Sequence, residues 1–452
     1  MKAELCSFPT DSWGHDPVRT YATTPVLNRH ATPSVLASYF KREIWRSRRR
    51  ARLLSCPPRS RRLQPPSPPL ASASPRRASR RVASRPMGEA AVPSGAAEAV
   101  PSAVAAAEAP KLRVAPPMPW RTRLAVLAAG YLTDATARAD GTVNRRLLSF
   151  LDRGVPASAA PRNGVASRDV VIDPAVPLRA RLFVPCPAAD SAGDAGSPVP
   201  VIVFFHGGGF AYLSPASPSY DAACRRIARY TGAAVLSVDY RRSPEHKFPA
   251  AYDDGFAALR FLDDAKNHHN LPVPLLDASR CFLTGDSAGG NIAHHVARRY
   301  ALNHSTFSTL RLAGLLAIQA FFGGEERTPA ELRLDGAPIV NLARTDWMWR
   351  AFLPPGAGRG HEAADARASS PAAAAGIDSP HFPPATVVVG GYDPLQDWQQ
   401  RYAETLRAKG KEVRVIEYPD AIHAFYLFPE FADAKDLMLR IKDIVAGTGS
   451  AA

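Results

Sequence analysis

The sequence predicts an α/β fold, a mostly parallel sheet of eight strands with helices on both faces. Two observations predict the sheet. Runs such as 201–205 and 234–238 are near-continuously apolar and β-rich, as expected for strands covered on both faces. Between most of the later runs lie long stretches with apolar residues at helical spacing, the alternation that makes crossover helices between parallel strands. A third observation gives the sheet its orientation. The segments that carry chemistry all follow such runs directly, at the carboxyl ends where sheets of this kind hold ligands.

The elements follow in order. Residues 120–138 place Leu124, Leu127, Ala128 and Tyr131 at helical spacing and predict a helix. Residues 170–172 and 180–184 read as a hairpin. The strands 201–205, 234–238, 282–284, 312–318, 386–389 and 413–418 complete the set, with helices at 220–231, 250–265, 288–302, 397–409 and 432–445. Residues 323–380 break this rhythm with Gly/Pro/Ala-rich stretches around Trp347, Met348, Trp349 and Phe352. Together with about 119–155 they are expected to form a cap. Its tryptophans either pack the insertion onto the core or touch the substrate.

A single domain is therefore expected over 116–450. Residues 1–115 read as a disordered extension, rich in Arg, Pro and Ala, that buries too little apolar surface to offset the entropy of ordering it. The formal net charge of +15 belongs to this tail: Lys41 to Arg85 holds 15 basic residues and one acid, Glu43. Residues 1–40 balance and the remainder carries +1, so a nucleic-acid interface on the folded part is disfavoured. The tail has three readings: an organelle transit peptide, a segment upstream of a physiological start at Met87, or a basic nucleic-acid-binding arm. The corresponding location is cytoplasmic, or chloroplast if the tail is a transit peptide. Five scattered cysteines without a C-x-x-C pair suit a reducing compartment, with Cys224 and Cys281 as small core residues. No run is long and apolar enough to span a membrane, and no Sec-type signal is seen.

Two motifs carry the chemistry. His206-Gly207-Gly208-Gly209 follows the strand 201–205, and Gly285-Asp286-Ser287-Ala288-Gly289 follows 281–284. A serine between glycines on a tight strand-to-helix turn projects its hydroxyl above the sheet. The glycines let backbone N–H groups approach a carbonyl oxygen that becomes negative during acyl transfer. The candidate nucleophile is Ser287, and the candidate oxyanion hole is Gly207, Gly208, Gly209 and Ala288. His206 is expected to lock the glycine loop by hydrogen bonds. A serine needs a base oriented by a carboxylate. Asp393 and His423 lie in short segments after the strands 386–389 and 413–418, where both can converge on Ser287. Asp397 is the rival carboxylate but is expected to cap the following helix. His381 is the rival base, but it precedes its strand and belongs at the opposite end of the sheet. His294, His295, His268 and His269 are read as helix-surface or loop residues. No metal-ligand spacing is seen, and no metal or cofactor is implied.

These motifs resemble the hormone-sensitive-lipase group of α/β-hydrolases, in particular the plant carboxylesterases related to the gibberellin receptor. The likeness runs from about Pro119 to Ala446. It rests on His206-Gly-Gly-Gly-Phe210, Asp239-Tyr-Arg, Pro244-Glu-His246, Phe248-Pro-Ala-Ala251, Gly285-Asp-Ser-Ala-Gly-Gly-Asn291, Asp393-Pro-Leu and His423-Ala-Phe425, with Arg242-Ser243 in place of the usual Leu-Ala. The resemblance implies an α/β-hydrolase fold with an N-terminal cap over an apolar acyl pocket. It places the oxyanion hole on Gly208, Gly209 and Ala288. It implies a carboxylic-ester hydrolase acting on small to medium apolar esters, with a small-molecule ester as partner; monomer and homodimer both stay open. Two alternatives come with it: a hormone receptor, which in this family keeps the serine but lacks the histidine, and a lyase that dehydrates flavonoids. The chain has His423.

Overall fold

A computed structural model of the chain describes residues 114–186, 198–268, 271 and 276–448. The expectations for the N-terminal extension, and for His269, fall on residues outside this set. One sheet contains β1 (Val165–Asp173), β2 (Leu178–Pro185), β3 (Val199–Phe205), β4 (Ala234–Asp239), β5 (Leu276–Asp286), β6 (Leu312–Ile318), β7 (Ala385–Tyr392) and β8 (Val413–Ile422). Their order is β1-β2-β4-β3-β5-β6-β7-β8. β1 and β2 form the expected antiparallel hairpin, β2 pairs antiparallel with β4, and every pair from β4–β3 onward is parallel.

β3 is buried on both faces because helices cover the sheet on each side, and its side chains divide by period two. Val201, Val203 and Phe205 join a core with Ala258, Leu259, Ile292 and Val296. Ile202 and Phe204 join the opposite core with Ala223, Ile227, Leu437 and Ile441. The first group of partners lies on α4 (Ala250–Asp263) and α5 (Ala288–Leu302), the second on α3 (Pro218–Thr231) and α8 (Ala432–Ala446). Full burial of each such aliphatic or aromatic side chain stabilises the fold by roughly 1.5–3 kcal/mol. Local signals set the helix ends. α3 starts with Pro218 in its first turn and stops at Gly232, whose φ of 70° lies in the left-handed region.

Four elements differ from expectation. β5 continues to Asp286 and β8 to Ile422, so Ser287 and His423 each follow their strand with no loop between. The first helix forms as α1 (Trp120–Thr136), but its apolar stripe faces outward: Leu124 is 61% and Leu127 54% exposed. The buried face is Thr122, Val126, Gly130 and Thr136. A Cβ at Gly130 would meet the Pro338 carbonyl at 2.6 Å, so a small residue rather than a large apolar one lets the helix seat. His294 and His295 are buried within α5, not on its surface. The Tyr402 hydroxyl lies 2.9 Å from Nδ1 of His294, and His295 stacks on Tyr252 at 4.4 Å. Burial holds both well below the ordinary imidazole value, so they remain neutral packing groups.

The segment after β6 carries α6 (Leu342–Phe352), which is tied to α1 through side chains. Arg344 forms an ion pair with Asp134 at 2.7 Å, and the Trp347 indole donates to the Arg138 carbonyl at 3.0 Å. Trp349 is buried among Phe210, Phe321 and Phe352, so this tryptophan fixes the insertion to the core.

Candidate active site

Register brings the two motifs together. Phe205 of β3 pairs with Gly285 of β5, so the residues that follow, His206-Gly207 and Asp286-Ser287, lie side by side at the carboxyl ends of the two strands. Ser287 occupies φ 53°, ψ −121° between β5 and α5, a conformation that costs a residue with a Cβ energy unless its surroundings hold it. The holding is done by the main chain. The Ser287 N–H donates to the Ile318 carbonyl at 2.9 Å, and its own carbonyl accepts from the Phe321 N–H at 2.8 Å. A Cβ on Gly285 would run into the main chain of Gly289, and one on Gly289 into the carbonyl of Phe205. Both glycines are thus required for strand, turn and helix to touch backbone to backbone. The serine hydroxyl makes no capping bond to α5.

The glycine loop is shaped from the other side. Gly208 and Gly209 have φ of 107° and 58°. The Gly207 N–H departs from expectation: it donates to the Tyr220 hydroxyl at 2.8 Å and to Asp286 Oδ1 at 3.0 Å, which takes it out of the candidate oxyanion-hole set. The Tyr220 hydroxyl in turn donates to Asp286 Oδ2 at 2.8 Å. The N–H groups of Gly208, Gly209 and Ala288 have no partner among the described residues. Asp286 therefore ties the first glycine to the residue preceding Ser287, and burial pushes its carboxyl up to about 6. Next to the loop, the His206 ring stacks on Tyr240 at 4.3 Å, and the Tyr240 hydroxyl donates to the His206 carbonyl at 2.8 Å. His206 Nδ1 lies 2.8 Å from the Gly207 carbonyl, which can only accept, so Nδ1 carries the proton. Complete burial lowers the ring to about 3, so it is neutral and part of the wall.

At the far end of the sheet a second register pair does the same for the other two residues. Tyr392 of β7 pairs with Ile422 of β8, and Asp393 and His423 are the next residues on each strand. His423 Nδ1 lies 2.8 Å from Asp393 Oδ2. Asp393 is fully buried; its Oδ1 accepts the Leu395 N–H and its Oδ2 the Gln399 amide, both at 2.9 Å. Burial by itself would lower the His423 imidazole, but the charge and hydrogen bond of Asp393 outweigh it and hold the ring above its ordinary value. Asp397 caps nothing on its own helix, α7 (Gln396–Ala408). Its carboxylate accepts the Ala330 N–H at 2.8 Å. His381 lies before β7, exposed and stacked on His304 at 3.6 Å, away from these groups.

The apolar side of the site comes from α6. A Cβ on Gly209 would collide with the Met348 side chain, so this methionine covers the glycine loop. In the sequence Met348 stands out only as part of an apolar cluster, and nothing there marks Tyr220 or the bond of Asp286. Gln399 leaves a weak trace, a buried-side amide one turn into the helix after Asp393; Tyr220 leaves none.

The model of the alpha/beta hydrolase fold matches residues 202–427, the span that contains both motifs and His423. The chain belongs to the α/β-hydrolase family. Within it, this α/β hydrolase is 39% identical to a gibberellin receptor of Oryza sativa subsp. japonica, over 68% of this chain and 88% of that one. It is 44% identical to one of Arabidopsis thaliana over 65% and 84%. It is 34% identical to carboxylesterase 20 of Arabidopsis thaliana over 68% and 93%. Among solved structures, a Pyrobaculum calidifontis esterase aligns at a TM-score of 0.54 and 25% identity, over 74% of this chain and 94% of that one. An α/β hydrolase from the Lake Arreo metagenome aligns at 0.56 and 25%, over 73% and 98%. No helix among the described residues of this α/β hydrolase is long and apolar enough to cross a membrane. Nor do they hold a group of three or more His, Cys, Asp or Glu suited to a metal ion.

Proposed function

We propose that this α/β hydrolase is a serine carboxylesterase for small to medium apolar esters. The observation that carries this reading is the His423–Asp393 bond at 2.8 Å, formed at the ends of the two strands beyond the Ser287 turn. In this scheme Ser287 attacks the ester carbonyl while neutral His423 takes its proton through Nε2 and returns it to the leaving alcohol. Asp393 keeps the Nδ1 proton in place and stabilises the imidazolium. The N–H groups of Gly208, Gly209 and Ala288 receive the oxyanion. Water then hydrolyses the acyl-enzyme with His423 again as base. Met348 and the aromatic residues behind it favour an apolar substrate.

The test is hydrolysis of p-nitrophenyl acetate and butyrate, with loss of turnover after treatment with a serine-directed fluorophosphonate. Inactivity on short and medium esters would remove the reading. A receptor reading is favoured by the identity to gibberellin receptors. Saturable binding of a gibberellin without ester turnover would establish it instead.

Two further outcomes are expected. The base works only when neutral, and Asp393 raises its pKa, so kcat/KM should fall as pH drops through a midpoint above the ordinary imidazole value of about 6.5. A pH–rate profile with its acid limb centred below that value would contradict the pairing. Gly208→Val places a branched side chain at φ 107°, where even a Cβ meets the Tyr212 carbonyl at 2.5 Å. The displaced amide donor should lower kcat by about 10²–10³-fold. Near-normal kcat in a variant that melts like wild type would take the loop out of the mechanism.

A further inference from the structure

Gln319 follows β6 directly and is fully buried. Its side-chain amide makes two bonds. Nε2 donates to the Ile422 carbonyl at 3.1 Å, and Oε1 accepts from the Ala424 N–H at 2.8 Å. These are the two peptide groups on either side of the His423 Cα. β8 has ended at Ile422, and Ala424 takes φ 60°, a left-handed conformation that a residue with a Cβ adopts only when held. Ile422 is the last residue of β8 in register with β7 and Ala424 lies beyond the strand, where the amide supplies what the sheet no longer does.

The fold makes room for this reach. β7 lies between β6 and β8 in the sheet, so a side chain from the end of β6 must pass over β7 to arrive at His423. It passes at Gly390, where a Cβ would run into Gln319 Nε2 and come within 2.8 Å of the Ala421 carbonyl. The Gln319 main chain is itself tied to β7 by its N–H, which donates to the Val388 carbonyl at 2.9 Å. In this buried setting water does not compete for the two bonds.

We propose that Gln319 is a positioning residue that clamps both peptide groups flanking His423 and so aims the imidazole, with Gly390 as the gap that admits the clamp; the catalytic part of this rests on the ester-hydrolase reading. Its role is distinct from that of Asp393, which holds the ring rather than the backbone.

The experiment compares the full-length wild type with Gln319→Met, which matches the length without a hydrogen-bonding amide, and Gln319→Glu, which keeps the acceptor for Ala424. Gly390→Ala, which crowds the amide without removing it, is a third variant. Three readouts are taken: kcat and KM on p-nitrophenyl acetate, the melting temperature, and the low-field proton resonance of His423 Nδ1–H on Asp393. Displacing the imidazole by about 1 Å should lower kcat in Gln319→Met on the order of 10²-fold with KM nearly unchanged. The low-field resonance should broaden or vanish. Gln319→Glu should fall between Met and wild type, and Gly390→Ala should follow Met. A Met variant with kcat within about twofold of wild type overturns the proposal, and so does one whose activity falls only with its folded fraction while the resonance persists. If wild type itself turns over no ester, the hydrolase reading fails. The resonance, read without substrate, then decides the clamp alone: lost in Gln319→Met it stands, unchanged it falls.

Discussion

Replacing Ser287 by alanine is expected to lower kcat for p-nitrophenyl esters by about 10⁶-fold while leaving the protein folded. The size follows from the role proposed for the hydroxyl, since without a nucleophile the base has nothing to deprotonate. The retained fold follows from the structure of the turn. Its bonds, from Ser287 N–H to Ile318 and from Phe321 N–H to Ser287, are all main-chain, and the hydroxyl caps nothing. Alanine meets the same backbone demand at φ 53° as serine does. The melting temperature should therefore stay close to that of wild type. Turnover surviving in Ser287→Ala would show that the ester is cleaved elsewhere.

Asp393→Asn is expected to lower kcat by about 10⁴-fold. The carboxylate accepts from Leu395 N–H on one oxygen and from Gln399 and the His423 ring on the other. An asparagine that keeps the Leu395 bond must turn its NH2 toward His423. That selects the tautomer with the proton on Nε2, where it cannot take the serine proton. The same change removes the charge that raises His423, so the acid limb of the pH–rate profile should move to lower pH in whatever activity remains. A kcat within about tenfold of wild type would rule out Asp393 as the orienting carboxylate.

How much of this was legible depended on whether a feature is local in the chain. The glycine loop and the Ser287 turn were legible because their geometry demands particular residues at consecutive positions. Gly285 and Gly289 are visible as glycines, and the main-chain contacts found here explain why they must be. Asp393 and His423 stand out as candidates in the sequence because each follows an apolar run. The outward stripe of α1 was not legible. Periodicity reports that a helix has an apolar side, but Gly130 against Pro338 decides which side is seated. His294 and His295 were misplaced for the same reason: α5 is covered all round at those positions.

The sequence alone therefore determined the α/β class, the order of strands and helices, and the serine, carboxylate and histidine on which the proposed chemistry rests. Only the tertiary structure decided which amides are free. The register of β3 against β5 spends the Gly207 N–H on Tyr220 and Asp286, and leaves those of Gly208, Gly209 and Ala288 without partners among the described residues. It also decided that Gln399 and Gln319 reach Asp393 and the His423 backbone. The physical reason is common to all of these. A hydrogen bond is set by distances of about 3 Å between groups that the chain separates widely. The register and layering of the whole sheet bring them that close, and no local pattern of residues encodes them.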